Sequence, residues 1–246
     1  MDSGYYAACT ALKTQSNALE LVANNVANVN TTGYRSQIPS FESLLVHSQN
    51  SAPMSGWSHL INQFSVMKGT RLDLTEGNLE RTGNPMDFAL EGPGFFAVQT
   101  KAGTLYTRNG NFRISASGQL LTSVGDPVLG TGGPITLPPN AQPSISGDGT
   151  VSVDGAVAGK LKIVDFPPGT KVEAVGTSYY SAPVTAVMPA IHAQIRQGML
   201  ESSNVNPVAA TVELITAQRE AEMAGRAMNA FYSEFDRIAA DELPKV

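Results

Sequence analysis

The chain has 246 residues, a formal net charge of -5 and only 15% charged residues. That balance excludes the basic surface of a nucleic-acid binder, while the length allows one large or two small domains around a real core. Cys9 is the single cysteine, which excludes an internal disulfide and a multi-cysteine metal site.

The start, Met1-Asp2-Ser3-Gly4-Tyr5-Tyr6, lacks the basic region and continuous apolar run of a cleavable signal peptide, and no stretch reaches the length of a membrane span. From there Tyr5, Ala8, Leu12, Gln15, Leu19, Val22, Val26 and Val29 recur at alternating steps of three and four, the spacing of one helix face. Cys9 beside this seam reads as a small packing residue. The helix then frays. Asn24, Asn25, Asn28, Asn30, Thr31 and Thr32 are poor helix formers whose side chains bond to backbone, and Gly33 before Tyr34 and Arg35 can take the left-handed turn that ends a helix.

Residues 36–68 are expected to form an extended connector. Phe41, Leu44, Leu45 and His47 suggest a helical turn or two, Pro53 and Gly56 break a polar loop, and Trp57, Leu60, Ile61, Phe64, Val66 and Met67 show no clean period.

Between about residues 69 and 198 the period changes to two. Met86, Phe88 and Leu90 alternate with Asp87 and Ala89, Leu161 and Ile163 with lysines, and Ile191, Ala193 and Ile195 with His192 and Gln194. Asn109-Gly110 predicts a hairpin between Tyr106-Thr107-Arg108 and Asn111-Phe112-Arg113, and Ser117-Gly118, Gly125-Asp126, Gly147-Asp148-Gly149 and Asp154-Gly155 mark further turns. Short strands at this spacing predict an all-β body, a partly closed barrel or a sandwich.

Sequences here that imitate catalytic motifs fail on context. Gly92-Pro93-Gly94-Phe95-Phe96-Ala97 has dinucleotide-fingerprint glycines, but a strand follows where a helix is required. Gly155 to Leu161 is one residue short of a phosphate loop and lacks its Ser or Thr, and Gly147-Asp148-Gly149-Thr150 offers calcium a single carboxylate. His47, His59 and His192 have no ligand-spaced neighbours. Neither an enzyme, nor a metal, nor a cofactor is expected.

The last stretch, Asn206 to Leu243, carries the longest pattern. Ala210, Leu214, Ala217, Ala221, Ala224, Met228, Phe231, Phe235 and Ile238 form an unbroken apolar seam, with Asn206 as N-cap, Pro207 at the first turn and Pro244 beyond the end. About 36 residues at 1.5 Å each give a rod of roughly 54 Å. Two terminal seams of matching period predict a coiled-coil-like layer built from both chain ends, the alternative being that each helix packs only onto its own globular core. Alanine buries little area per turn, so this pair should become firmly ordered only when neighbours add their surfaces.

The expected organisation is α+β: an N-terminal helix in 1–35, a connector in 36–68, a central β domain in 69–198 and a C-terminal helix in 199–246. The run closing on Thr31-Thr32-Gly33-Tyr34-Arg35 closely resembles the N-terminal signature of the bacterial flagellar rod and hook proteins. Gly77 to Leu90, Gly92 to Val98 and Tyr106 to Phe112 are similar to the family's middle section, and Gly198-Met199-Leu200-Glu201-Ser202-Ser203-Asn204-Val205-Asn206-Pro207 to its C-terminal signature. Gly125 to Ile135 is more similar to proximal-rod than to distal-rod members.

The resemblance implies a structural subunit of the basal-body rod. Terminal helices of many copies would line a helical tube that transmits torque and forms part of an export channel, with β domains outside. It also implies passage through the flagellar type III export apparatus without a cleaved signal peptide, assembly in the periplasmic space, and partners that are copies of the chain and other axial proteins. Leu12, Leu19, Val22, Val26, Leu214, Met228, Phe231 and Phe235 are the candidates for the helical interface. Asn25, Asn28, Thr32, Gly33, Tyr34, Asn204 and Asn206 are the candidates at its turns. Two other readings are a distal-rod subunit and a wall-carbohydrate module stacking sugars on Tyr106, Phe112, Tyr179 and Tyr180.

Overall fold

A computed structural model describes residues 2–43, 65–138 and 142–242. The chain is α+β and divides into two compact units, one of Met1–Val26, Gln37–Thr70 and Pro207–Val246, the other of Ala27–Ser36 and Arg71–Asn206.

Among the described residues the first unit holds two long helices, α1 (Asp2–Ala27) and α2 (Pro207–Glu242). α2 starts at the proline that follows Asn206, as its punctuation predicts. Along it Ala210 and Ala217 are buried and Leu214, Ala221, Ala224 and Met228 are half-buried, while Val208, Val212, Ile215 and Met223 lie 48–74% exposed. Successive residues advance about 100° around a helix, so the covered and exposed apolar stripes occupy nearly opposite faces. On α1, Leu21 and Asn25 are the deepest described positions and Leu12, Leu19, Val22 and Val26 are half-buried.

The strand Gln37–Ser43 pairs with Ser65–Leu72. Phe41, the one described residue of the four expected to form a helical turn, therefore lies in a strand. Pro39 opposes a helix there, and the side chain of Asn25 supplies a partner for an extended backbone, donating from Nδ2 to the Gln37 carbonyl at 2.8 Å and accepting the Gln37 N–H at 2.9 Å. Leu44, Leu45, His47, Trp57, Leu60, Ile61 and Phe64 lie outside the described residues.

The second unit is built on a six-stranded antiparallel sheet in the order Glu173–Val175, Tyr179–Ser181, Gly103–Thr107, Phe95–Thr100, Ile163–Asp165, Met188–Pro189. Its inner strand Phe95–Thr100 is covered on both sides. Phe96 and Val98 join Phe88, Leu90, Phe112, Leu120 and Ile195 in one core, and Phe95 and Ala97 join Leu72, Tyr106, Phe166 and Tyr180 in the other. Aromatic rings interlock in both, at 5.1 Å between Phe96 and Phe112 and 5.4 Å between Phe95 and Tyr180. Burying each such side chain contributes about 1.5–3 kcal/mol. Small sheets flank this one, and among the described residues none closes into a barrel.

The turn expected at Asp154-Gly155 is a two-residue hairpin, with φ of 50° and 84° and Val153 opposite Ala156. Asn109-Gly110 does not. The strand Gly103–Thr107 pairs with Phe95–Thr100 and Tyr179–Ser181, whereas Phe112–Ile114 pairs with Leu120–Thr122. The reason lies in Gly110, whose carbonyl accepts the Phe88 N–H at 3.0 Å and whose absent Cβ would lie 1.6 Å from the Phe88 oxygen. Close backbone approach selects glycine here, and the chain crosses between sheets. The alternation at 191–195 is also shorter than expected: the strand begins at Gln194 and Ile191 is 82% exposed.

Candidate functional site

The most deeply buried charges of the second unit meet at one point. Arg35 and Glu201 are each 0% exposed and Arg108 is 2% exposed. Glu201 Oε1 accepts from Arg35 Nη2 at 2.5 Å and from the Gly77 N–H at 2.9 Å, and Oε2 accepts from Arg108 Nη1 at 3.1 Å. Arg108 also donates to the carbonyls of Leu90 and Gly92, at 3.2 and 2.8 Å, and sits 5.4 Å over the Phe95 ring.

Local structure explains how each residue arrives. Gly33 has φ of 68°, and a Cβ there would lie 2.4 Å from the backbone of Arg108 and Asn109. Only glycine lets the turn lie against that strand end. Its N–H donates to the Glu201 carbonyl at 2.8 Å, and its own carbonyl accepts from the Tyr180 hydroxyl at 3.1 Å. Tyr180 also accepts the Arg35 N–H at 2.9 Å. Glu201 is carried by the strand Met199–Glu201, paired with Leu79–Arg81. Three residues on, the Asn204 amide accepts the Ser36 N–H at 2.7 Å and donates to the carbonyls of Asp73 and Thr75 at 3.0 and 3.1 Å.

Burial sets the electrostatics. It pulls the Arg108 guanidinium below the usual arginine range, a shift that Glu201 opposes and Arg35 reinforces. It pushes the Tyr180 phenol well above the usual tyrosine range. One carboxylate thus holds two guanidiniums in a region closed to water, an arrangement suited to fastening chain segments together.

The expected interface residues fall into groups. Gly33, Tyr34 and Asn28 are buried and Asn204 half-buried within the second unit, where Asn28 accepts from the Thr31 hydroxyl at 3.0 Å. Asn25 clamps Gln37 in the first unit. Thr32 is half-buried and Asn206 exposed, and the side chains of Phe231 and Phe235 lie outside the described residues. Arg35, Arg108 and Glu201 were missed as a group, although each stands inside a motif that carries the family resemblance. Charged residues set among glycines and aromatics were the available signal.

The aromatics offered for sugar stacking do not form an open platform. Tyr106, Phe112 and Tyr180 are 5% exposed or less, and Tyr179 packs half-buried with its hydroxyl donating to Asp126 at 2.8 Å. A surface groove of about 920 Å³ runs past Met188 and Ile191, and Asp148, the one carboxylate among its lining residues, is paired with Lys160 at 3.1 Å. Among the described residues no helix is long and apolar enough to cross a membrane.

Three family descriptions match the chain in order: a flagella basal body rod protein model over residues 6–35, a flagellar hook protein FlgE/F/G D1 domain over 89–153, and a flagellar basal body rod FlgEFG protein C-terminal model over 196–237. The chain belongs to the flagellar basal-body rod family. Within it, the chain is similar to the flagellar basal-body rod protein FlgF of Caulobacter vibrioides, at 35% identity over 100% of both chains, and to FlgF of Salmonella typhimurium, at 33% over 91% of each. FlgG of Agrobacterium fabrum is 33% identical over 88% of this chain and 90% of its own.

Proposed function

We propose that the chain is a structural subunit of the flagellar basal-body rod, placed in its proximal part. The full-length similarity to rod proteins named FlgF is the observation that carries this reading, and the proximal placement follows the resemblance of Gly125 to Ile135. In this reading α1 and α2 pair as a coiled-coil-like layer, and neighbouring copies and other axial proteins complete it as a helical tube that transmits torque. The subunit has no catalytic role and reaches the periplasmic space through the flagellar export apparatus.

The distribution of apolar residues on α2 supports assembly. Its covered stripe, Ala210, Leu214, Ala217, Ala221, Ala224 and Met228, faces within one subunit, and Val208, Val212, Ile215 and Met223 remain for neighbours. Two apolar faces on one helix allow head-to-tail contacts, which propagate as an open filament when the rotation between copies does not close into a ring. Leu12, Leu19, Val22, Val26, Phe231 and Phe235 belong to the same layer, and Thr32 and Asn206 to its turns. Asn25, Asn28, Gly33, Tyr34 and Asn204 act one step earlier, by shaping the segments that lead out of α1 and into α2.

Ile215→Asp tests this reading, because Ile215 is 48% exposed in the subunit. The expected result is an unchanged thermal unfolding curve with loss of motility and of the protein from purified basal bodies. Normal motility with normal incorporation would contradict it.

A further inference from the structure

We propose that the Arg35–Glu201–Arg108 joint is a folding latch, so that the second unit completes only once residues 199–206 are in place. The inference rests on the geometry of the joint and holds independently of the rod reading.

Glu201 lies 166 residues beyond Arg35 and 93 beyond Arg108. Until it docks, the sites occupied by both guanidiniums offer burial without their carboxylate, a costly state for any charge. The N–H groups of Gly33 and Gly77 lack their acceptors on Glu201 in the same state. The neighbouring segment is equally connected. Gln194–Gln197 supplies the partner for Phe88–Glu91, Met199–Glu201 the partner for Leu79–Arg81, and the Asn204 amide binds Ser36, Asp73 and Thr75.

Segments from the N-terminal flank, the first strands of the body and the turn after Thr107 therefore all find their partners in one late stretch. A chain threaded from either end must present both flanks before the body can close. The body then forms in one cooperative step, and opening the joint opens the body.

Hydrogen exchange on the full chain tests the latch. In the native protein the amides of Gly33 and Gly77 at the joint, and of Ala97 and Gln99 in the central sheet, should exchange through one shared opening with one denaturant dependence. Glu201→Gln should speed all four by a common factor of roughly 10²–10⁴. In pulse-labelled refolding, Ala97 and Gln99 should gain protection in the same phase as Gly33. If Glu201→Gln cannot be isolated folded, Arg35→Lys is read by the same criterion. Fast exchange confined to Gly33 and Gly77, or protection of the sheet in an earlier phase than Gly33, would overturn the proposal.

Discussion

Replacing Glu201 by glutamine keeps the size of the side chain and removes its charge, leaving the guanidiniums of Arg35 and Arg108, 0% and 2% exposed, without the carboxylate that pairs them. The carboxylate accepts three hydrogen bonds, from Arg35, Arg108 and the Gly77 N–H. An amide can accept through one oxygen only, so at least one donor loses its partner. Arg108 keeps only the Leu90 and Gly92 carbonyls, while Arg35 Nε and Nη1 and Arg108 Nε make no hydrogen bond among the described residues. Removing one member of a buried ion pair costs about 3–5 kcal/mol, a large part of the roughly 5–15 kcal/mol of a typical domain. Urea unfolding followed by near-ultraviolet circular dichroism should show a midpoint lowered accordingly, with unchanged slope. Arg196→Ala is the control. It breaks the exposed Arg196–Glu91 pair, in which both side chains are about half exposed, and should cost roughly 0–1 kcal/mol. A Glu201→Gln loss no larger than that of the control would refute the joint as a source of stability.

Gly33→Ala should destabilise the second unit by roughly 2–5 kcal/mol in the same assay, because left-handed strain adds to overpacking against the Arg108 backbone. Gly155→Ala, with φ of 84° and open space around the position, should cost only the strain, roughly 1–2 kcal/mol. Alkaline pH should also weaken this unit. Burial first, and Asp126 in addition, hold the Tyr179 phenol up to about 12, so its contribution is complete below pH 10, the ordinary value, and is lost as pH rises from there towards 12. A urea midpoint measured between pH 9 and 12 should fall across that window, and Tyr179→Phe should flatten the fall.

Much of the fold was legible because local chemistry and tertiary structure agree. Asn206-Pro207 opens α2 where it should, the seam residues Ala210 and Ala217 are its most buried described positions, and Asp154-Gly155 turns as its residue types require. Failures came where distant backbone decided. Asn109-Gly110 carries a hairpin's composition, yet Gly110 serves the approach of Phe88 and the two strands leave for different sheets. Phe41 lies in a strand because Asn25 and a paired strand await it, neither of which a local pattern reveals.

The joint was hidden for a related reason. Glu201 stands 166 residues beyond Arg35 and 93 beyond Arg108, and only the folded chain brings them together. Its polar neighbours Gly33 and Asn204 were visible as special residues, but their intrachain partners were not. The sequence signatures that single out the family thus coincide with the parts of one buried fastening, and their spacing along the chain reflects where that fastening needs them.

The placement of the protein in the rod is tested most directly by electron microscopy of purified basal bodies carrying a small epitope between Lys101 and Ala102. That hairpin tip is exposed, with Thr100 paired to Gly103 beneath it. It is a better insertion point than Gly147–Thr150, whose backbone is bonded to Leu161 and Ile195. Label on the proximal rod is the predicted result. Motile cells whose basal bodies carry no label would contradict the account.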